Sequence, residues 1–86
     1  MAQSVEAIEA RVKELIIEHL GLEPDLAATI TLESFFVEDL GADSAGFVML
    51  LAAIDMEYGL EVPMEEAAKM KTVNDAVEYI KTHVGA

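Results

Sequence analysis

One serine stands where this chain could do chemistry. In the run GADSAGF, Gly41 to Phe47, Ser44 follows Asp43 at the point where a loop gives way to a helix. A serine so placed is a nucleophile if a base and an oxyanion hole surround it, a cap for the helix, or a point of attachment for another group. Ala42-Asp43-Ser44-Ala45-Gly46 faintly echoes the G-x-S-x-G elbow, with alanine for its first glycine, and His19 and His83 are available as bases. That elbow needs a sheet to stand on. FFVEDL is the one stretch readable as its preceding strand, and no further strands are visible. An oxyanion hole and a substrate cleft also find little room in 86 residues. Both histidines fall near the ends of expected helices, where an exposed or dipole-stabilised histidine is ordinary. Hydrolysis is the weakest reading, and no catalytic residue is assigned.

The elements that must position Ser44 follow from spacing and caps. Ser4 can cap a helix with Glu6 and Glu9 near its start, and Val5, Ile8, Val12, Leu15, Ile16 and Leu20 keep helical spacing up to a stop at Gly21. A connection from Leu22 to Gly41 follows, with Pro24 near its start. Its stretch Thr29 to Thr31 and the apolar Leu32, Phe35, Phe36, Val37 and Leu40 suggest a loop pinned to the core, too long to be idle. A second helix is expected from Ser44 to Tyr58, stopped by Gly59. Pro63 suits the first turn of a short helix through Glu65, Glu66 and Ala67. Thr72 and Asp75 resemble a capping box opening a last helix, whose stripe is Val73, Ala76, Val77 and Ile80. The expected fold is all-α: a small bundle of three main helices plus a short one, with a long loop between helices one and two, in a single domain over residues 1–86.

Charge narrows the partners. The net charge is −12, and the basic residues are confined to Arg11, Lys13, Lys69, Lys71 and Lys81. From Glu14 to Ala68 the chain has acids but no Lys or Arg. Such a field repels nucleic acid and anionic membranes and attracts basic protein patches. The longest apolar run, Ala45 to Ile54, is too short for a membrane span, which needs about 20 residues. Glu6 and Glu9 break up any secretory signal. Without cysteine there is no disulfide or thiolate metal site, and a cytoplasmic location is the expectation. Glu61, Glu65 and Glu66 lack an ordered ligand spacing, so no metal site is expected.

Attachment remains. A hydroxyl at a helix N-terminus is well placed to carry a phosphate ester against free N–H groups and the positive dipole end. DLGADS, Asp39 to Ser44, resembles the attachment motif of acyl carrier proteins, D-x-G-x-D-S-[L]. The similarity extends over ARVKELIIEHLG in helix one, FVEDLGADS before helix two, YGLEVP after it and KTVNDAVEYI at the end. The resemblance implies a helical bundle in which Ser44, within a motif that includes Asp43, receives 4′-phosphopantetheine from coenzyme A. The arm's thiol would then carry an acyl chain as a thioester. It further implies a monomer that is no enzyme itself. Its expected partners are a phosphopantetheinyl transferase and acyl-chain synthesis and transfer enzymes with basic or apolar docking patches. By the same resemblance Phe47, Leu50, Leu51, Ile54 and Met70 are acyl-pocket candidates. Asp39, Ala45, Val48, Met49, Ala52, Asp55, Met56 and Glu57 are partner-binding candidates.

Helix two departs from that family. Leucine and aspartate usually follow the serine; Ala45 and Gly46 stand here. Met49 and Met56 occupy positions that are commonly acidic, and Ala52 replaces a methionine, whereas Asp39, Asp43, Asp55 and Glu57 match acidic positions. Phe47, Leu50, Leu51, Ile54 and Tyr58 form the expected core stripe, and Ala45, Met49, Ala52 and Met56 form a second one that must be covered by the long loop or by a partner. Phe47 is bulky beside the chain cavity and narrows or reshapes it. Met64 replaces a capping aspartate, which predicts a frayed short helix. The best reading is a carrier in fatty-acid or related specialised lipid synthesis. The alternatives are a carrier of polyketide or aminoacyl intermediates and an unmodified acidic helical adaptor.

Overall fold

Caps and apolar spacing together give three long helices: α1 (Val5–Leu20), α3 (Ser44–Tyr58) and α5 (Val73–His83), with one-turn helices α2 (Pro24–Ala27) and α4 (Met64–Ala67) between them. The structure, a computed structural model, describes residues 4–84; residues 1–3 and 85–86, the ends of the expected domain, lie outside the described residues. Among the described residues there is no strand, only a lone antiparallel bridge between Phe35 and Thr72. The all-α bundle expected from the sequence is the fold observed.

Local chemistry fixes the helix ends. Ser4 accepts from the Ala7 N–H at 3.1 Å, and Gly21 closes α1 in the left-handed region at φ 63°. Gly59 ends α3 in the same way at φ 68°. At α5, Thr72 and Asp75 form the reciprocal capping box, each side chain accepting from the other's backbone N–H. Asp75 Oδ2 also accepts from the Lys71 N–H at 2.9 Å. Partial burial pushes its carboxyl up, but the Lys71 and Thr72 donors and the Lys71 charge outweigh this, so it titrates below the usual range.

The core lies where α1 packs on both α3 and α5. Ile8, Val12 and Ile16 of α1, Leu50 and Ile54 of α3 and Val73 and Ile80 of α5 are fully buried there. Burying each such side chain contributes roughly 1.5–3 kcal/mol. No described helix is long and apolar enough to cross a membrane.

The connection between α1 and α3 is more structured than a loop. Pro24 sits at the start of α2, where its missing N–H costs nothing, and makes one helical turn of a stretch expected to be irregular. Further on the chain is stitched to the α4–α5 link: Phe36 N–H donates to Lys71 O at 2.9 Å, and Val73 N–H to Ser34 O at 3.0 Å. Ile30, Phe36, Leu40 and Ala42 are buried as anchors, but Phe35 (42% exposed) and Val37 (64%) point outward, against the expectation that they too are pinned inside. Residues 36–40 form a turn, with the Asp39 and Leu40 N–H groups donating to Phe35 O and the Gly41 N–H to Val37 O, so Phe36 and Leu40, four apart, face the core while Phe35 and Val37 face solvent. Pro63 is likewise placed differently from expectation: it caps α4 from outside, extended at ψ 152°, with no side-chain cap bond for the single turn that follows.

Candidate attachment site and the clefts beside it

A chain of local hydrogen bonds delivers Ser44 to the tip of α3. Asp39 Oδ2 accepts from the Phe35 N–H at 2.8 Å, and Phe35 O accepts from the N–H groups of Asp39 and Leu40. Gly41, at φ 68°, reverses the chain, and the Ala42 N–H donates to Phe36 O at 2.8 Å. Asp43 is then extended and caps α3 through the Gly46 N–H at 2.7 Å. The cap therefore belongs to Asp43. Ser44 is the first helical residue, exposed, with its hydroxyl outside that bond.

This arrangement fits a phosphodiester. At the first turn the N–H groups of Ser44 and Ala45 have no acceptor within the helix, so an anion on Ser44 Oγ meets free donors and the positive end of a 15-residue helix. It does not fit an elbow nucleophile, because no described strand precedes Ser44. His83 is engaged in its own helix, its Nδ1 2.8 Å from Tyr79 O and its ring stacked 4.0 Å from that of Tyr79.

One apolar hollow adjoins the serine and shares part of its wall with a larger one. The smaller, about 200 Å³, lies between α3 and α4 and includes Ser44, Val48, Leu51 and Met64 in its wall. The larger, about 640 Å³, runs under residues 35–38 and includes Phe35, Phe36, Val37 and Met70, with Glu38 and Lys71 as its charged members. Phe47, Ala67 and Ala68 line both. Of the five acyl-pocket candidates, Phe47, Leu51 and Met70 line these spaces, whereas Leu50 and Ile54 are sealed in the core and line neither. Val48, Met64, Ala67 and Ala68 were not expected as pocket walls. The i, i+4 spacing of Ser44 and Val48 was the available signal for one of them.

The partner-binding candidates divide by what already holds them. Ala45, Val48, Met49, Ala52, Asp55 and Met56 are all exposed. The second apolar stripe thus faces solvent, and the alternative in which it packs on the connection is overturned. Glu57 is held by Arg11 at 2.9 Å, and that hydrogen bond, opposed by slight desolvation and aided by the Arg11 charge, keeps its carboxyl below the usual range. The carboxylates of Asp39 and Asp43 are committed to backbone N–H groups. Asp55 carries no such bond among the described residues.

Comparison with known proteins agrees with this geometry. Residues 10–80 match the family model for the phosphopantetheine attachment site. A solution structure of a candidate acyl carrier protein from Anaplasma phagocytophilum superposes with a TM-score of 0.84 at 29% identity, over 95% of this chain and 93% of that one. Members of this family carry 4′-phosphopantetheine, engage phosphopantetheinyl transferases and acyl-handling enzymes, and catalyse nothing themselves. With the serine exposed at the capped start of α3 and an apolar hollow beside it, this chain belongs to the phosphopantetheine attachment family, as an acyl carrier protein.

Proposed function

We propose that Ser44 carries the 4′-phosphopantetheine arm and that the protein shuttles thioester-bound acyl chains among enzymes of fatty-acid or related lipid synthesis. One observation carries the reading: Ser44 is exposed as the first residue of α3 while Asp43 takes the cap, beside a hollow with apolar walls. In the loading reaction Ser44 Oγ forms a bond to phosphorus and loses its proton to a base of the transferase. The pyrophosphate linkage of coenzyme A breaks and adenosine 3′,5′-bisphosphate leaves. The chain has no cysteine, so the arm's thiol is the only one on the loaded protein.

The acidic stretch between Glu14 and Ala68 favours fast encounters with basic partners. The exposed Met49 and Met56 supply adaptable apolar contacts where charge would be usual, which suits a specialised carrier with a dedicated partner.

The deciding experiment is intact-protein mass after incubation with coenzyme A and a broad-specificity phosphopantetheinyl transferase, with Ser44→Ala alongside. A gain of one phosphopantetheinyl group on the parent alone is expected. No gain, in folded protein not already modified, overturns the carrier reading in favour of an unmodified adaptor. Mass analysis of the natively loaded protein then separates fatty from polyketide or aminoacyl cargo.

A further inference from the structure

The hollow beside Ser44 and the larger cleft share one large side chain in their walls, together with two alanines. Phe47 lines both, and its ring lies 5.4 Å from that of Phe36, tilted by 55°. Phe36 is fixed: it is 2% exposed, and its N–H is bound to Lys71 O. The pair therefore has an anchored side and a free side. The free ring, that of Phe47, is only partly buried, and its partners across the gap are the small Ala67 and Ala68. Leu50 and Ile54, deeper on α3, are fully buried and line neither space.

We propose that Phe47 sorts cargo by length. This rests on the carrier reading above and adds a selecting residue to it. The hollow next to Ser44, about 200 Å³, has about a third of the volume of the cleft under residues 35–38. A short linear acyl group lodges there with Phe47 undisturbed. A longer chain must enter the 640 Å³ cleft under residues 35–38, and to do so it turns the Phe47 ring away from Phe36. Burying several more methylenes outweighs the loss of one tilted aromatic pair, whereas burying a single one does not. Length discrimination follows from that inequality. The occupant is an aliphatic chain, since Phe47, Ala67 and Ala68, the residues common to the two spaces, offer it no polar side chain.

The test uses the full-length protein loaded through its arm with butanoyl, hexanoyl or dodecanoyl groups, read by methyl NMR. Of these two spaces, Val48 and Met64 line the near hollow alone, and Val37 and Met70 the far cleft alone. In the parent, butanoyl and hexanoyl shift Val48 and Met64 alone, and dodecanoyl also shifts Val37, Met70 and the Phe47 ring. In Phe47→Leu, hexanoyl already reaches Val37 and Met70. The proposal is overturned if all three chains move the same reporters in the parent, if the shifts concentrate at Leu50 and Ile54, or if no reporter moves. The parent series decides this even where the variant folds poorly. Failure of Ser44 to accept an arm removes the carrier reading and this inference together; a loaded protein without length dependence removes the inference alone.

Discussion

Leu20 of α1 closes over Gly46 of α3, leaving a side chain at position 46 almost no space. A Cβ there would lie 3.0 Å from Leu20 Cδ2 and 3.1 Å from the capping oxygen Oδ1 of Asp43. The glycine that weakens the first turn by propensity is thus the point where the end of α1 meets the start of α3, two residues after Ser44. Gly46→Ala gains at most about 1 kcal/mol of helix propensity, less in a first turn. It also crowds a cap of about 1 kcal/mol and displaces Leu20. A net loss of about 0.5–1 kcal/mol is expected in urea unfolding, shrinking in a Leu20→Ala background because the two sites are coupled. Net stabilisation by Gly46→Ala would show that Leu20 and the cap yield freely.

Tyr58, the last residue of α3, buries its hydroxyl without a hydrogen-bond partner among the described residues. Burial, aided by the neighbouring Glu57 charge and opposed by Arg11, raises its pKa. A buried unsatisfied hydroxyl is a net cost, so Tyr58→Phe is expected to stabilise the fold by about 1 kcal/mol. A loss of similar size in thermal or urea unfolding would mean that a bound water satisfies the hydroxyl, and that the phenylalanine orphans it.

Asp75 ties the start of α5 to the chain leading from α4, and its folded pKa lies below the ordinary 3.8. A depressed carboxylate stabilises above its unfolded pKa and loses that contribution as pH falls through the folded value. The stability gap between the parent and Asp75→Asn should therefore be constant near neutrality and close as pH drops from about 4 downward. Comparing the two proteins at each pH cancels the relief of self-repulsion that acid brings to a chain of net charge −12. A gap that widens in acid would contradict the assignment.

Much of this was legible because it was local. The ends of α1, α3 and α5 are written in Ser4, Gly21, Asp43, Gly59 and the Thr72–Asp75 box, each acting within four residues of itself. The serine's position on α3 followed from the same chemistry. What escaped required the third dimension. The Arg11–Glu57 bond spans 46 residues of sequence, so Glu57 looked like a free partner-facing acid. Phe35 and Val37 looked like core because they are apolar, but the turn over residues 36–40 brings Phe36 and Leu40 inward and leaves the other two outside. Leu50 and Ile54 share a stripe with Phe47 and Leu51, yet the first two are sealed in the core while Phe47 and Leu51 meet the hollows. Pro24 did carry a usable signal, as a favoured first residue of a helix, that was outweighed by the length of the connection around it.

The exposed stripe of α3 yields the sharpest expectation about partners. Met56 is 89% exposed and Met49 54%, so neither supports the fold, and Met49→Glu or Met56→Glu should change stability by no more than about 0.5 kcal/mol. Burying a methionine in an interface contributes up to about 1.5–3 kcal/mol, and a glutamate there must instead be desolvated. Each variant is therefore expected to weaken binding to an acyl-handling partner at least about tenfold, near 1.4 kcal/mol, chiefly through faster dissociation. Charge should act differently. Asp55→Asn is expected to slow association and reduce its salt dependence. Glu57→Gln should do so less, because Arg11 already offsets that charge. Surface binding kinetics of the four variants against one partner separate the two effects. Unchanged dissociation in both methionine variants would return the docking role to the acids alone.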